Sequence, residues 1–141
     1  MSAKIVVGVN VNAEIMNVWD CWTQPKHIVN WNFASDDWHC PSAENDLRVG
    51  GKMVSRMEAK DGSYGFDFEG VYDEIIDLEK LSYGLSDGRK VVTTFKELNG
   101  NVDVVTEFEV EDQNSAEQQK GGWQAILNNF KAYVEGLEEK V

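Results

Sequence analysis

The side chains best suited to chemistry in this 141-residue chain are aromatic and sulfur-bearing rather than charged. Trp31, Phe33, Met53, Met57, Phe66 and Phe68 occupy its first half. Tyr83, Phe95, Phe108, Trp123, Ile126 and Phe130 follow in the second. In the regular segments these residues fall on one strand parity or one helical face, so they are expected to converge on one internal space. Such a set binds apolar molecules by burying surface, and methionine adapts to irregular shapes. Tyr83 and Thr106 are the polar groups placed near that space, where they would orient a ligand. Arg48, ahead of Gly50-Gly51, either pairs with a neighbouring acid or meets a ligand carboxylate at the rim. Packing is a sufficient use for all of them, since each large side chain contributes roughly 1.5–3 kcal/mol by burial.

The titratable residues promise less. Cys21, His27, His39 and Cys40 lack the paired spacing of a structural zinc site, because His39 and Cys40 are adjacent. Asp67 with Glu69, and Glu107 with Glu109, alternate with apolar residues and should face water. A solvated carboxylate keeps an ordinary pKa and is a poor acid or base at neutral pH. No Ser-His-Asp order, GxSxG or phosphate-binding glycine loop occurs. Neither catalytic residues, metal nor cofactor is therefore assigned.

The elements that must position the aromatic set read as follows. Residues 3–12 alternate, with Ile5, Val7, Val9 and Val11 on one face, as a half-buried strand. Asn12 is expected to cap a short helix bearing Ile15, Val18, Trp19 and Trp22. Pro25 opens a second short helix with Ile28 and Trp31. Residues 32–46, with Phe33, Trp38 and Pro41, read as a loop that packs as a flap or touches a ligand. From residue 47 the period becomes two. Turns are expected at Lys60-Asp61-Gly62-Ser63, Asp87-Gly88 and Asn99-Gly100. Gly70 is read as a bulge or bend after which Tyr72 and Ile75-Ile76 leave the earlier parity.

The last segment, Ser115 to Glu138, organises the rest. Trp123, Ile126, Leu127, Phe130, Val134 and Leu137 make one helical face, and Ser115 with Gln118 makes a capping box. Such a helix is about 35 Å long and needs a broad partner. The expected fold is α+β: a curved antiparallel sheet of six to seven strands around the long C-terminal helix, with two short helices after the first strand. Gly121-Gly122 is unfavourable inside a helix, and close approach of another backbone is the expected reason.

Composition narrows the function classes. A net charge of −12 opposes nucleic acid and anionic membranes. No run is long and apolar enough to span a bilayer, and the first residues do not resemble a secretory leader. Two cysteines form no disulfide framework, so a cytoplasmic setting is expected for one domain over 1–141.

One ordered set of residues carries a family likeness over essentially the whole chain. It comprises Val18-Trp19, Thr23-Gln24-Pro25, Trp31, Asp46-Leu47-Arg48-Val49-Gly50-Gly51 and Asp61-Gly62, then Gly70-Val71-Tyr72-Asp73-Glu74-Ile75 and Gly122-Trp123. The set resembles the single-domain proteins similar to the activator of heat-shock protein 90 ATPase, within the START-like (SRPBCC) superfamily of polyketide cyclases and lipid-binding domains. The resemblance implies a helix-grip fold with an apolar cavity between the long helix and the sheet. Three functions follow as expectations. The leading one is non-enzymatic binding of a small hydrophobic ligand, for which truncation of Phe95 or Phe130 should alter binding. The others are stimulation of a chaperone ATPase through the acidic outer strands, and a polyketide cyclase-like activity.

Overall fold

The computed structural model describes residues 4–111 and 115–139. Strand β1 (Lys4–Val11) is followed by helices α1 (Ile15–Thr23) and α2 (Pro25–Ile28). The chain then forms β2 (Trp38–Asn45), β3 (Lys52–Ala59), β4 (Gly65–Ile76) and β5 (Lys80–Leu85). Strands β6 (Lys90–Leu98) and β7 (Asn101–Glu109) and helix α3 (Ala116–Glu139) complete it. All seven strands join one sheet in the order β1-β7-β6-β5-β4-β3-β2, with every pair antiparallel. The two short helices carry the chain from one edge of the sheet to the other. The strands then return as a meander, each closed by a short connection. The sheet curls into a half-barrel around α3, which is the helix-grip arrangement.

Helix α3 starts as its sequence dictates. Ser115 Oγ accepts the Gln118 amide at 3.1 Å, and Gln118 Oε1 accepts the Ser115 amide at 3.3 Å. Its apolar face buries Leu127, Phe130 and Val134 fully, with Trp123, Ile126 and Leu137 packed alongside. Its polar flank covers the open edge of β1, an edge that would otherwise present unpaired backbone groups. Gln124 Nε2 donates to the Gly8 carbonyl at 3.0 Å and Lys131 Nζ to the Asn10 carbonyl at 2.5 Å. Glu135 accepts the Asn12 amide at 2.9 Å. Asn12 therefore anchors α3 instead of capping α1, whose N-cap is Glu14 without a side-chain bond.

Two further expectations are corrected. The stretch read as a flap contains β2, the far edge strand. Pro41 is tolerated there because an edge strand leaves alternate amides unpaired, and the register slips between His39 and Ser42. The irregularity expected at Gly70 lies instead between Tyr72 and Glu74. Tyr72 keeps the parity of Phe66 and Phe68 and is buried, and the parity changes only beyond it, at Ile75 and Ile76. Gly70 has a different reason: a Cβ there would stand 2.5 Å from the Tyr83 ring.

The outer face is mixed rather than simply acidic. Lys4 pairs with Glu107, Lys52 with Glu69, Lys80 with Glu74 and Lys90 with Asp73. Hydrogen bonds from Ser82 and Lys90 hold the Asp73 carboxyl below its ordinary range.

Candidate functional site

The grip is unequal along α3. Towards its C-terminal half the interior is filled by rings from α1 and the segment after α2. Trp22 and Trp31 each meet the Phe130 ring edge-on at 4.9 Å, and Trp19 meets Phe95 at 5.2 Å. Towards its N-terminal half the helix presents Gly122, and a Cβ at Gly121 or Gly122 would have nothing within 4 Å. Close approach of another backbone is thus not why these glycines are there. Beneath Gly122 lies a cavity of about 270 Å³.

Three walls build this cavity. Strands β3 and β4 contribute Met53, Ser55, Met57, Phe66, Phe68 and Tyr72, and β5 adds Tyr83. Helix α3 contributes Gln119, Gly122, Trp123, Ile126 and Leu127. Trp22, Ile28 and Trp31, with Asn32 and Ala34, close one end, and Glu44 and Asn45 of β2 stand at the side. Phe66, Phe68, Gln119 and Trp123 also border a second cavity of about 270 Å³, completed by Leu85, Arg89, Val91, Phe108, Glu109 and Glu111.

Of the side chains singled out in the sequence, Trp31, Met53, Met57, Phe66, Phe68, Tyr83, Trp123 and Ile126 are brought together around the first cavity. The remaining six are elsewhere. Phe108 stacks on Trp123 at 4.7 Å and faces the second cavity. Phe95 and Phe130 are core rings. Thr106 is fully buried, its hydroxyl sharing a 2.8 Å hydrogen bond with that of Thr93. Phe33 is half-buried outside the cavity, its carbonyl accepting Asn129 Nδ2 at 2.6 Å. Arg48 is exposed and its Nε bonds Asp46, so it is an ion-pair residue of the turn.

The polar groups of the cavity are few. Tyr72 donates its hydroxyl to Asn45 Oδ1 at 2.7 Å, and Asn45 Nδ2 donates to the Thr23 carbonyl at 2.6 Å. This relay ties β4 to β2 and α1. Burial pushes the Tyr72 phenol up to about 12, with the Asn45 bond opposing. Tyr83 is pushed up further by burial, with Tyr72 adding to the rise. Among the described residues no side chain bonds the Tyr83 hydroxyl, yet no fully buried polar side-chain atom is left unpaired. The Tyr83 hydroxyl therefore opens onto the cavity. Gln119 holds the helix start to the end of β7 through the Glu111 amide and carbonyl, at 3.0 and 3.2 Å.

Tyr72 and Asn45 were missed in the sequence for definite reasons. Tyr72 followed the supposed shift at Gly70, and Asn45 lay in the stretch read as a loop. An unbroken parity from Phe66 through Tyr72 was the available signal.

The titratable residues go elsewhere. His27 Nδ1 lies 2.6 Å from the Tyr133 hydroxyl, and burial lowers its pKa. His39 Nε2 stands 3.8 Å from Glu58. Cys21 and Cys40 are both buried, and no disulfide joins them. Among the described residues no cluster of His, Cys, Asp and Glu is arranged to hold a metal, and no helix is long and apolar enough to cross a membrane.

Residues 12–135 match the pattern of the family described as Activator of Hsp90 ATPase homolog 1-like protein. The solution structure of an AHSA1-like protein from Aeromonas hydrophila is 41% identical, with a TM-score of 0.90 over 96% of this chain and 94% of that one. A protein from Cytophaga hutchinsonii is 46% identical, with a TM-score of 0.82 over 98% and 96%. A crystal structure from Chromobacterium violaceum shares the fold at 23% identity, with a TM-score of 0.84 over 94% and 98%. Among curated proteins none matches the chain.

Proposed function

This chain belongs to the Activator of Hsp90 ATPase homolog 1-like family, and on that premise we propose that it is a non-catalytic receptor for a small apolar molecule held between its sheet and α3. One observation carries the reading. A cavity walled by aromatic, methionine and aliphatic side chains has in its lining a phenol, Tyr83, whose hydroxyl no side chain bonds among the described residues. Apolar walls supply affinity, and a few fixed polar groups supply orientation. The Tyr72–Asn45 pair is a second such group.

The same groups lend little to a cyclase-like enzyme. Both phenols are weaker acids than free tyrosine, so at neutral pH they act as hydrogen-bond donors rather than proton donors. The co-chaperone reading has the family description behind it, but the outer strands pair their acids with lysines across the sheet. That leaves less uncompensated charge for a basic partner.

The test is occupancy. Native mass spectrometry of protein taken from its own cells should retain a small molecule, and octanol should quench the tryptophans that line the cavity. Gly122→Leu places a side chain into the open space and should abolish that quenching while the protein stays folded. Unchanged octanol binding by Gly122→Leu would refute the site.

A further inference from the structure

Resting on the receptor reading, we infer that the occupant is an organic cation: a tertiary or quaternary ammonium on an apolar body, not a fatty acid or other apolar anion. The walls have the composition that receives such a group. Trp22, Trp31, Phe68, Tyr72, Tyr83 and Trp123 surround the space, and aromatic faces attract ammonium groups through their quadrupoles. The rings are held in place by one another, Trp22 against Trp31 at 4.8 Å and Phe68 edge-on to Trp123 at 6.0 Å.

Charge selects in the same direction. Among the described residues that line the cavity there is no Lys, Arg or His, and the single charged one, Glu44, is an exposed edge-strand residue in register with Val54 and Glu69 on the outer face. In the adjoining cavity Glu109 and Glu111 outnumber the single cation Arg89, whose Nε donates to Asp87 at 2.6 Å. A carboxylate entering here would lose its hydration without a cation to meet it, which strongly disfavours burial. A quaternary ammonium is weakly hydrated and is received by the π faces without a counter-charge. The net charge of −12 raises cation concentration near the protein.

Octyltrimethylammonium, octanol and octanoate, matched in chain length, separate the possibilities by tryptophan quenching and calorimetry at neutral pH. Expected is an order of ammonium, then octanol, then octanoate, with the ammonium at least about tenfold tighter than octanol. Gly122→Leu should remove ammonium binding altogether. Octanoate binding as tightly as the ammonium would overturn the inference and leave the receptor reading standing. Ammonium binding that survives Gly122→Leu would place the cation on the acidic surface and overturn it too. If none of the three binds, both readings fall.

Discussion

The two halves of α3 do opposite things with the same kind of sequence. From Leu127 onward the helix is packed: Leu127, Phe130 and Val134 are buried against α1 and the sheet. Before Leu127 it offers Trp123 and Ile126 to a cavity, and Gly121 and Gly122 offer nothing. Both halves carry apolar residues at helical spacing. The difference is what lies opposite. The C-terminal half meets the rings of Trp22 and Trp31, and the N-terminal half meets strands β3–β5 across open space. An amphipathic stripe therefore says that a helix face is turned inward and not whether the volume beneath it is filled.

Truncations sharpen this contrast. Phe130→Ala removes a ring held between two tryptophans and should destabilise the protein by about 3–5 kcal/mol, read from denaturant unfolding. A loss comparable to that of an exposed site would mean that this end is not the packed one. Tyr72→Phe leaves Asn45 without its donor in a partly buried place and should lower stability by about 1–2 kcal/mol. Stability matching wild type would remove the relay as a tie between β4 and β2. At the open end Gly122→Ala should raise stability by up to about 1 kcal/mol, because the added methyl meets nothing and alanine favours the helix. A lower melting temperature for Gly122→Ala would reveal a contact there and contradict the difference between the two halves.

The smallest effect expected is one of pH. Burial, then nearby Lys26, lowers the His27 pKa below its ordinary 6.5, so the folded state favours the neutral ring. The unfolded chain takes up the proton first, so this contribution is present above 6.5 and is lost as pH falls through that value. Wild type should lose stability over that interval more steeply than His27→Gln. Parallel curves for the two proteins would show that the His27–Tyr133 contact between α2 and α3 does not depend on protonation.

Much of the fold was legible because its signals are local. Val102, Val104, Thr106 and Phe108 alternate, and Asn99-Gly100 turns the chain between β6 and β7 with both residues at positive φ. Pro25 stands at the start of α2, and Ser115 with Gln118 caps α3. Strand β2 was illegible because Pro41 forbids a central strand, and only its edge position makes it allowed. The site was legible in part. Met53, Met57, Phe66 and Phe68 share a parity that sequence displays, and they do face the cavity. Phe95, Thr106, Phe108 and Phe130 share the same kind of parity or helical face and do not line it.

By itself the sequence determined which face of each strand and helix turns inward, because alternation and helical spacing act over a few residues. Only the tertiary structure decided where that interior closes and where it stays open. The chain crosses from β1 to β2 through α1 and α2, and this packs Trp22 and Trp31 against Phe130 of α3 while the space beneath Gly122 stays unfilled. Filling a volume depends on residues a hundred positions apart meeting in space, and no local pattern records that.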